Sequence, residues 1–356
     1  MLHGLKSPLP CMTKNPLKVF IKENLYRIVN NPISRNIYSK EVSRRKELSF
    51  DDIDRLAANI NILSPYSSEI NMPNDFYGHA KVLKEFLGLR EDKSFKFIIE
   101  HGIVLSNQVN DLELESGLDS IITFSNFRKD VLKKFKKHSF AIGPMIHYTN
   151  GVLSKKQVQE EKKRLGKTLL VFPSHATLDV RSQYDVHAFS KFIKNYGKRF
   201  QTIRICLYWK DILDGLGKFY KDQGFECVTA GHILDPLFLP RLKSIIECAD
   251  YSVSNKAGTH VGYCVYLKVP HYIYDQKQII QGKRKEVDRA YKVLNTPGAL
   301  EAYYQVVEAF TKETSSISAR QKRIANLYWG FDQVKSRKKL MEIVSLTEKI
   351  YHQGKL

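Results

Sequence analysis

The hydrophobic pattern is clearest in the second half of the chain, where short apolar runs alternate with stretches of helical period. Lys167–Pro173 (KTLLVFP), Thr202–Tyr208 (TIRICLY), Phe225–Thr229 (FECVT), Asp250–Ser254 (DYSVS) and Pro270–Tyr274 (PHYIY) read as buried strands. Between them, Asp185–Tyr196, Ile212–Gln223, Leu239–Ala249 and Thr259–Leu267 read as helices; in Asp185–Tyr196, Val186, Phe189, Phe192 and Ile193 fall on one buried face. The alternation predicts βαβ units around a parallel sheet with right-handed crossovers. Ligands are then expected at the carboxyl ends of its strands.

The first half is less regular. Residues 1–90 read as helical and loop-rich, with a helix over Tyr77–Leu87 (YGHAKVLKEFL). Short strands follow at Phe95–Ile99, Ile121–Phe124 and Phe140–Ile142, with a helix over Phe127–Phe135. Gly143–Gly166 contains Pro144, Asn150-Gly151 and a charged stretch, and reads as a linker; beyond residue 285 the pattern is almost wholly helical. The fold class expected is α/β, with two Rossmann-like domains facing a cleft. An abbreviated, helix-rich domain spans 1–145, the linker 146–166, a second domain 167–310 and C-terminal helices 311–356.

Composition narrows the partners. With 57 Lys and Arg against 37 Asp and Glu, the chain carries a net charge of +20, a field that attracts nucleic acid, anionic lipid or phosphate-rich substrates. No helix-turn-helix, zinc finger or RNP-like strand accompanies that charge, so a basic nucleic-acid-binding protein is the weaker alternative. The cysteines Cys11, Cys206, Cys227, Cys248 and Cys264 show no Cys-x-x-Cys spacing, which argues against a zinc site or disulfide framework and for a reducing, cytoplasmic setting. No apolar stretch is long enough to span a membrane. Peripheral contact with the inner face of an anionic plasma membrane is open to Pro16–Val29, an amphipathic basic segment that alternatively docks on its own domain.

The candidate chemistry centres on the turn after the fourth strand of the second half, Ser252-Val253-Ser254-Asn255-Lys256-Ala257-Gly258-Thr259-His260. A strand ends here and a helix begins. Exposed N–H groups and the positive helix end would meet a diphosphate, with Ser254, Asn255, Gly258, Thr259 and His260 around it. The alternative is a plain turn with a Thr cap.

The stretch Asp235–Tyr274, with its Ala-Asp strand, Ser-Asn turn and Gly-Thr-His helix start, resembles the donor-binding half of GT-B glycosyltransferases. Lys268 stands where that family usually has glycine, and the acidic residue usual on the helix is absent. Tyr77–Lys84 and Ile98–Gly102 are similar to glycosyltransferases of capsule and lipopolysaccharide clusters. The resemblance implies a GT-B fold and transfer of a sugar from a nucleotide-sugar donor to a glycan or lipid-linked acceptor in surface polysaccharide biosynthesis. Polyol-phosphate transferases and sugar-nucleotide epimerases share the fold and remain alternatives.

For such a transfer, His101 follows a strand and precedes a glycine, where a base of near-neutral pKa would face the cleft, with Glu100 orienting or replacing it. Ser174 and His175, after the first strand of the second domain, are placed to donate to a phosphate or leaving group. Lys210 and Arg181 are candidate phosphate charges, and Gly231-His232 a candidate nucleobase flank. The Asp-x-Asp at Asp52-Ile53-Asp54 sits behind Ser49 and reads as a capping box, so neither metal nor cofactor is expected. Walker, Gly-x-Ser-x-Gly and Gly-x-Gly-x-x-Gly motifs are absent, against kinases, hydrolases and dehydrogenases.

Overall fold

The computed structural model describes residues 32–58, 67–109, 116–175, 180–283, 287–288, 291 and 295–353, with the backbone alone described at 32–35 and 180–182. The amphipathic segment Pro16–Val29 and Cys11 lie outside the described residues.

The N-terminal lobe begins with helices α1 (Pro32–Lys46) and α2 (Ile53–Ala57). The capping box expected from Ser49 is not formed: the N-cap residue of α2 is Asp52, no side chain caps the helix, and the Asp52 carboxylate accepts from the Ser49 backbone N–H at 3.3 Å. A tight 3-10 turn, Met72–Gly78, leads into α3 (His79–Leu87). Strands β1 (Ile98–Ile99), β2 (Ser120–Thr123) and β3 (His138–Ala141) form a parallel sheet in that order, and α4 (Asn126–Lys134) crosses from β2 to β3. The strand expected over Phe95–Ile99 is shorter because side chains take its place in the bonding. The amide of Asn74, fully buried, donates to Phe97 C=O at 2.8 Å and accepts from Ile99 N–H at 2.8 Å. Glu69 accepts from Phe95 N–H at 3.1 Å.

The segment read as a linker holds a helix of its own, α5 (Lys155–Leu165), started by a capping box between Ser154 and Gln157. Its Lys162 pairs with Asp250 at 2.7 Å, and Val158 and Leu165 pack with Cys248, so the helix docks on the second lobe.

That lobe is built on β4 (Thr168–Phe172), β6 (Thr202–Cys206), β7 (Glu226–Val228), β8 (Tyr251–Ser254) and β9 (His271–Ile273), all parallel, in the order β7-β6-β4-β8-β9. A separate antiparallel pair, β5 (Val180–Gln183) with β10 (Ile279–Gly282), was not signalled by the apolar pattern, because the β5 sequence is mostly polar and β10 is largely exposed. The intervening helices are α6 (Val186–Tyr196), α7 (Trp209–Leu213), α8 (Leu216–Asp222), α9 (Phe238–Glu247) and α10 (Thr259–Tyr266). Asp185 caps α6 by accepting from Ala188 N–H at 2.8 Å. The single helix expected over Ile212–Gln223 breaks at Gly215 into α7 and α8.

Lys268, which occupies a glycine position of the resembled family, has φ of +65°. A left-handed residue with a Cβ costs roughly 1 kcal/mol. Lys268→Gly is therefore expected to raise unfolding stability by about 1 kcal/mol in a urea titration; an unchanged or lower midpoint would refute the strain.

The tail forms α11 (Glu301–Phe310), α12 (Ala319–Trp329) and α13 (Arg337–Gln353). These helices return to the N-terminal lobe. Arg337 donates to Leu87 C=O at 2.7 Å, Lys335 N–H donates to Tyr148 at 2.9 Å, and Lys93 pairs with Glu348 at 2.8 Å. One hydrophobic core consequently runs through both lobes, from Phe97, Ile122 and Phe124 to Val261, Tyr263, Trp329 and Leu340.

Candidate active site at the junction of the lobes

In the sheet order of the second lobe, β4 and β8 lie at the point where the chain switches direction, and such a switch opens a crevice at the carboxyl ends of its strands. The loop after β4 and the turn after β8 meet here, where Ser174 N–H donates to the Asn255 side chain at 2.6 Å. Helix α10 starts from Gly258 in extended conformation, and no side chain caps it. Thr259 does not act as the cap. Its hydroxyl accepts from Ile103 N–H of the opposite lobe at 2.9 Å, and its carbonyl accepts from Trp329 Nε1 at 3.1 Å. The positive end of α10 thus lies against the loop that follows β1.

That loop carries His101. Its ring packs edge-on against Phe76, with centroids 5.3 Å apart, and tilts against Tyr77 at 6.0 Å. Water reaches the imidazole, yet the surrounding protein desolvates it enough to push its pKa down to about 4. This corrects the near-neutral expectation: at pH 7 the ring is neutral, and a proton acceptor, but a weaker base than an ordinary histidine.

The turn that holds Phe76 and Tyr77 is itself tightly built. Tyr77 has φ of +59°, rare for a bulky residue and commonest at functional or over-determined positions. Its N–H donates to Ile233 C=O of the other lobe at 2.7 Å, and its ring meets Phe238 at 4.8 Å and His79 at 5.8 Å. A Cβ on Gly78 would lie 2.4 Å from the Pro236 carbonyl oxygen, so only glycine permits this approach of the lobes.

Three buried polar atoms around this junction have no hydrogen-bond partner: His79 Nδ1, His260 Nε2 and Tyr263 Oη. Burial pushes the His79 pKa down to about 3; burial, the nearby His175 and an opposing hydrogen bond to the Lys256 backbone leave His260 at about 3. Both rings are neutral at pH 7. His260 stacks on Phe172 at 4.8 Å, and His175 lies against Tyr208 at 4.5 Å. Tyr208 is also bonded to Tyr77, joining the two lobes again.

Of the residues singled out from sequence, His101, His175, Thr259, Gly258 and His260 converge on this junction. Others do not. The Glu100 carboxylate is buried and taken up by Arg128 at 2.6 Å and by the Thr123 hydroxyl, so it braces the first lobe instead of orienting His101. Ser254 is fully buried, bonded to His271 and Lys256 C=O. Asn255 staples the Ser174 loop to Gln276, which leaves its amide engaged within the protein. Gly231 lies against Arg241 and Asp235, which bond at 2.7 Å, and His232 packs on Trp209 at 4.2 Å; both are bound into the contact with α2, where His232 N–H donates to Leu56 C=O. Lys210 sits in the first turn of α7, at the carboxyl end of β6, and makes contacts within the fold. The backbone of Arg181 lies in β5, and its side chain is outside the described residues.

Sequence reasoning missed Tyr77, His79, Tyr208 and Tyr263. The first two were present in the Tyr77-Gly78-His79 stretch, whose glycine was the available signal. Tyr263 sits on the apolar face of α10 and looks like core in any pattern.

Neither a family model nor a curated protein matches the sequence. Among solved structures, the chain is similar to the wall teichoic acid polymerase TagF, at 13% identity and a TM-score of 0.41, covering 74% of this chain and 69% of that one. It is also similar to the E. coli ADP-heptose lipopolysaccharide heptosyltransferase II, at 10% identity and 0.28, over 55% and 66%. A UDP-glucosyltransferase from Polygonum tinctorium follows at 12% and 0.33, over 67% and 56%. At these identities and scores the likeness is one of element arrangement alone. No described helix is long and apolar enough to cross a membrane.

Proposed function

We propose that the chain is a GT-B-type glycosyltransferase that moves a sugar from a nucleotide-activated donor to a glycan or lipid-linked acceptor in surface polysaccharide biosynthesis. The observation that carries this reading is the placement of the uncapped start of α10 at the strand switch point, directly against the His101 loop of the other lobe. A leaving diphosphate at that helix end gains from the dipole and free N–H groups without a metal ion. His101, neutral and reached by water, faces it from the acceptor side and takes the proton of the attacking hydroxyl. The unpartnered polar atoms of His79, His260 and Tyr263 supply further bonds to substrate as it closes the site.

A net charge of +20 favours contact with an anionic membrane, where lipid-linked acceptors would be held. Nucleotide binding is the direct test. In a thermal-shift panel, at least one nucleoside diphosphate at millimolar concentration should raise the melting temperature, while random DNA or RNA at physiological salt should not. Tight nucleic-acid binding with no response to any nucleotide would refute the transferase reading.

A further inference from the structure

A cavity of about 530 Å³ lies between α1 and the segment that runs from Ser68 through α3 to Asp92. The Met72–Gly78 turn serves both this cavity and the lobe junction. Asp75 and Gly78 line the cavity, while Phe76 and Tyr77 between them hold their rings against His101. Pro236 of the second lobe completes the wall.

The lining is mixed, apolar at Val42 and Pro236, and its polar part has a physical reason. On α1, Ser39, Ser43 and Lys46 stand four and three residues apart and so share one helix face along the cavity. The next stripe of the same helix carries Arg45, fully buried, which donates to Leu56 C=O at 2.7 Å and Ala58 C=O at 2.6 Å and fixes the helix in place. A helix with so little apolar surface is held by that arginine and leaves its hydroxyls to the cavity.

From the opposite wall come Ser68, Lys81 and Asp75. Lys81 reaches Glu91 at 3.4 Å and Glu85 at 3.6 Å, long contacts at exposed carboxylates that a phosphate would replace with shorter bonds. Asp75 is bonded to Ser67, but its Oδ2 is sealed from water with no hydrogen-bond partner. Burial pushes this carboxyl up to about 6, with Glu69 adding to the shift and Ser67 and Lys84 opposing it.

The geometry points to this cavity as a binding site for a hydroxyl-rich phosphate ester, a sugar or polyol phosphate. The hydroxyls of Ser39 and Ser43 and the Asp75 carboxyl meet the ligand's hydroxyls, and the ammonium groups of Lys46 and Lys81 meet its phosphate; the Ser68 hydroxyl stays in the wall, held by Glu91 C=O and Lys84 at 2.7 Å each. The volume is that of a small-molecule site. The inference concerns binding alone and stands whether or not the chain transfers sugars.

Calorimetric titration of the full chain tests it, with glucose 6-phosphate and sorbitol 6-phosphate as probes and with glucose and inorganic phosphate as the separate halves. At least one ester should bind about tenfold more tightly than either half, and the tighter ester identifies the source of the ligand. Ser43→Trp fills the cavity from an exposed helix position and should abolish the heat. Asp75→Asn should lower affinity about tenfold while its melting temperature at pH 7 holds or rises, because a buried charge is removed. Absence of ester binding by the unaltered chain, or equal affinity in Ser43→Trp, overturns the proposal.

Discussion

Gly262→Ala is expected to destabilise the protein by about 3 kcal/mol or more, the upper range for overpacking a core. A Cβ at this position of α10 would lie 2.2 Å from the ring of Trp329, which is fully buried and has no room to retreat. The same ring donates from Nε1 to Thr259 C=O, so displacing it also shifts the start of α10, the element proposed to hold the leaving group. Urea unfolding checks the stability, and nucleotide thermal shift checks the site. In a Trp329→Leu background the added methyl meets a smaller side chain, and the cost of Gly262→Ala should fall by more than half. Equal costs in the two backgrounds would show that the clash is not with Trp329.

The second large effect concerns His101. His101→Gln keeps a polar side chain in the loop but removes the proton acceptor, and turnover should drop by about 10²- to 10⁴-fold with nucleotide binding unchanged. Loss of folding instead would assign the residue a structural role. The pH profile is the sharper readout. Because desolvation lowers the folded pKa to about 4, the neutral base is present throughout the range above that value. Activity should therefore rise through about pH 4 and be level from pH 6 upward as far as this group governs it. An acidic limb near 6.5, the ordinary histidine value, would show that the ring is not desolvated as its packing against Phe76 and Tyr77 requires.

The chemical partition between the two carboxyl-end loops explains why some sequence candidates belong to the site and others do not. His101 and Thr259, expected after β1 and after β8, lie on the two loops that meet between the lobes through the Ile103–Thr259 bond. Glu100 lies one residue before His101, and the alternation of side chains along a strand turns it to the other face, where Arg128 meets it. Ser254 ends β8 and Asn255 follows it, but the neighbouring strand and loop claim their polar groups through His271, Ser174 and Gln276. A polar residue in such a turn is as useful to the turn as to a ligand, and one sequence does not distinguish the two uses.

The local pattern by itself determined the five parallel strands of the second lobe and most of the helices between them, but not the β5–β10 pair or the break at Gly215. The apolar runs that became β4, β6, β7, β8 and β9, and the helical spacing between them, reflect burial on faces set within ten or so residues of chain. It also determined that the strands would be parallel and that their carboxyl ends would be the place to look. Tertiary structure alone decided the rest. The bond from Ile103 to Thr259 spans 156 residues of chain, that from Trp329 to Thr259 spans 70, and that from Arg337 to Leu87 spans 250. Such pairings leave no periodic trace, because periodicity records which face is buried and not what buries it. For the same reason the return of α12 and α13 to the first lobe, and the cavity behind the Tyr77 turn, became visible only when the chain was folded.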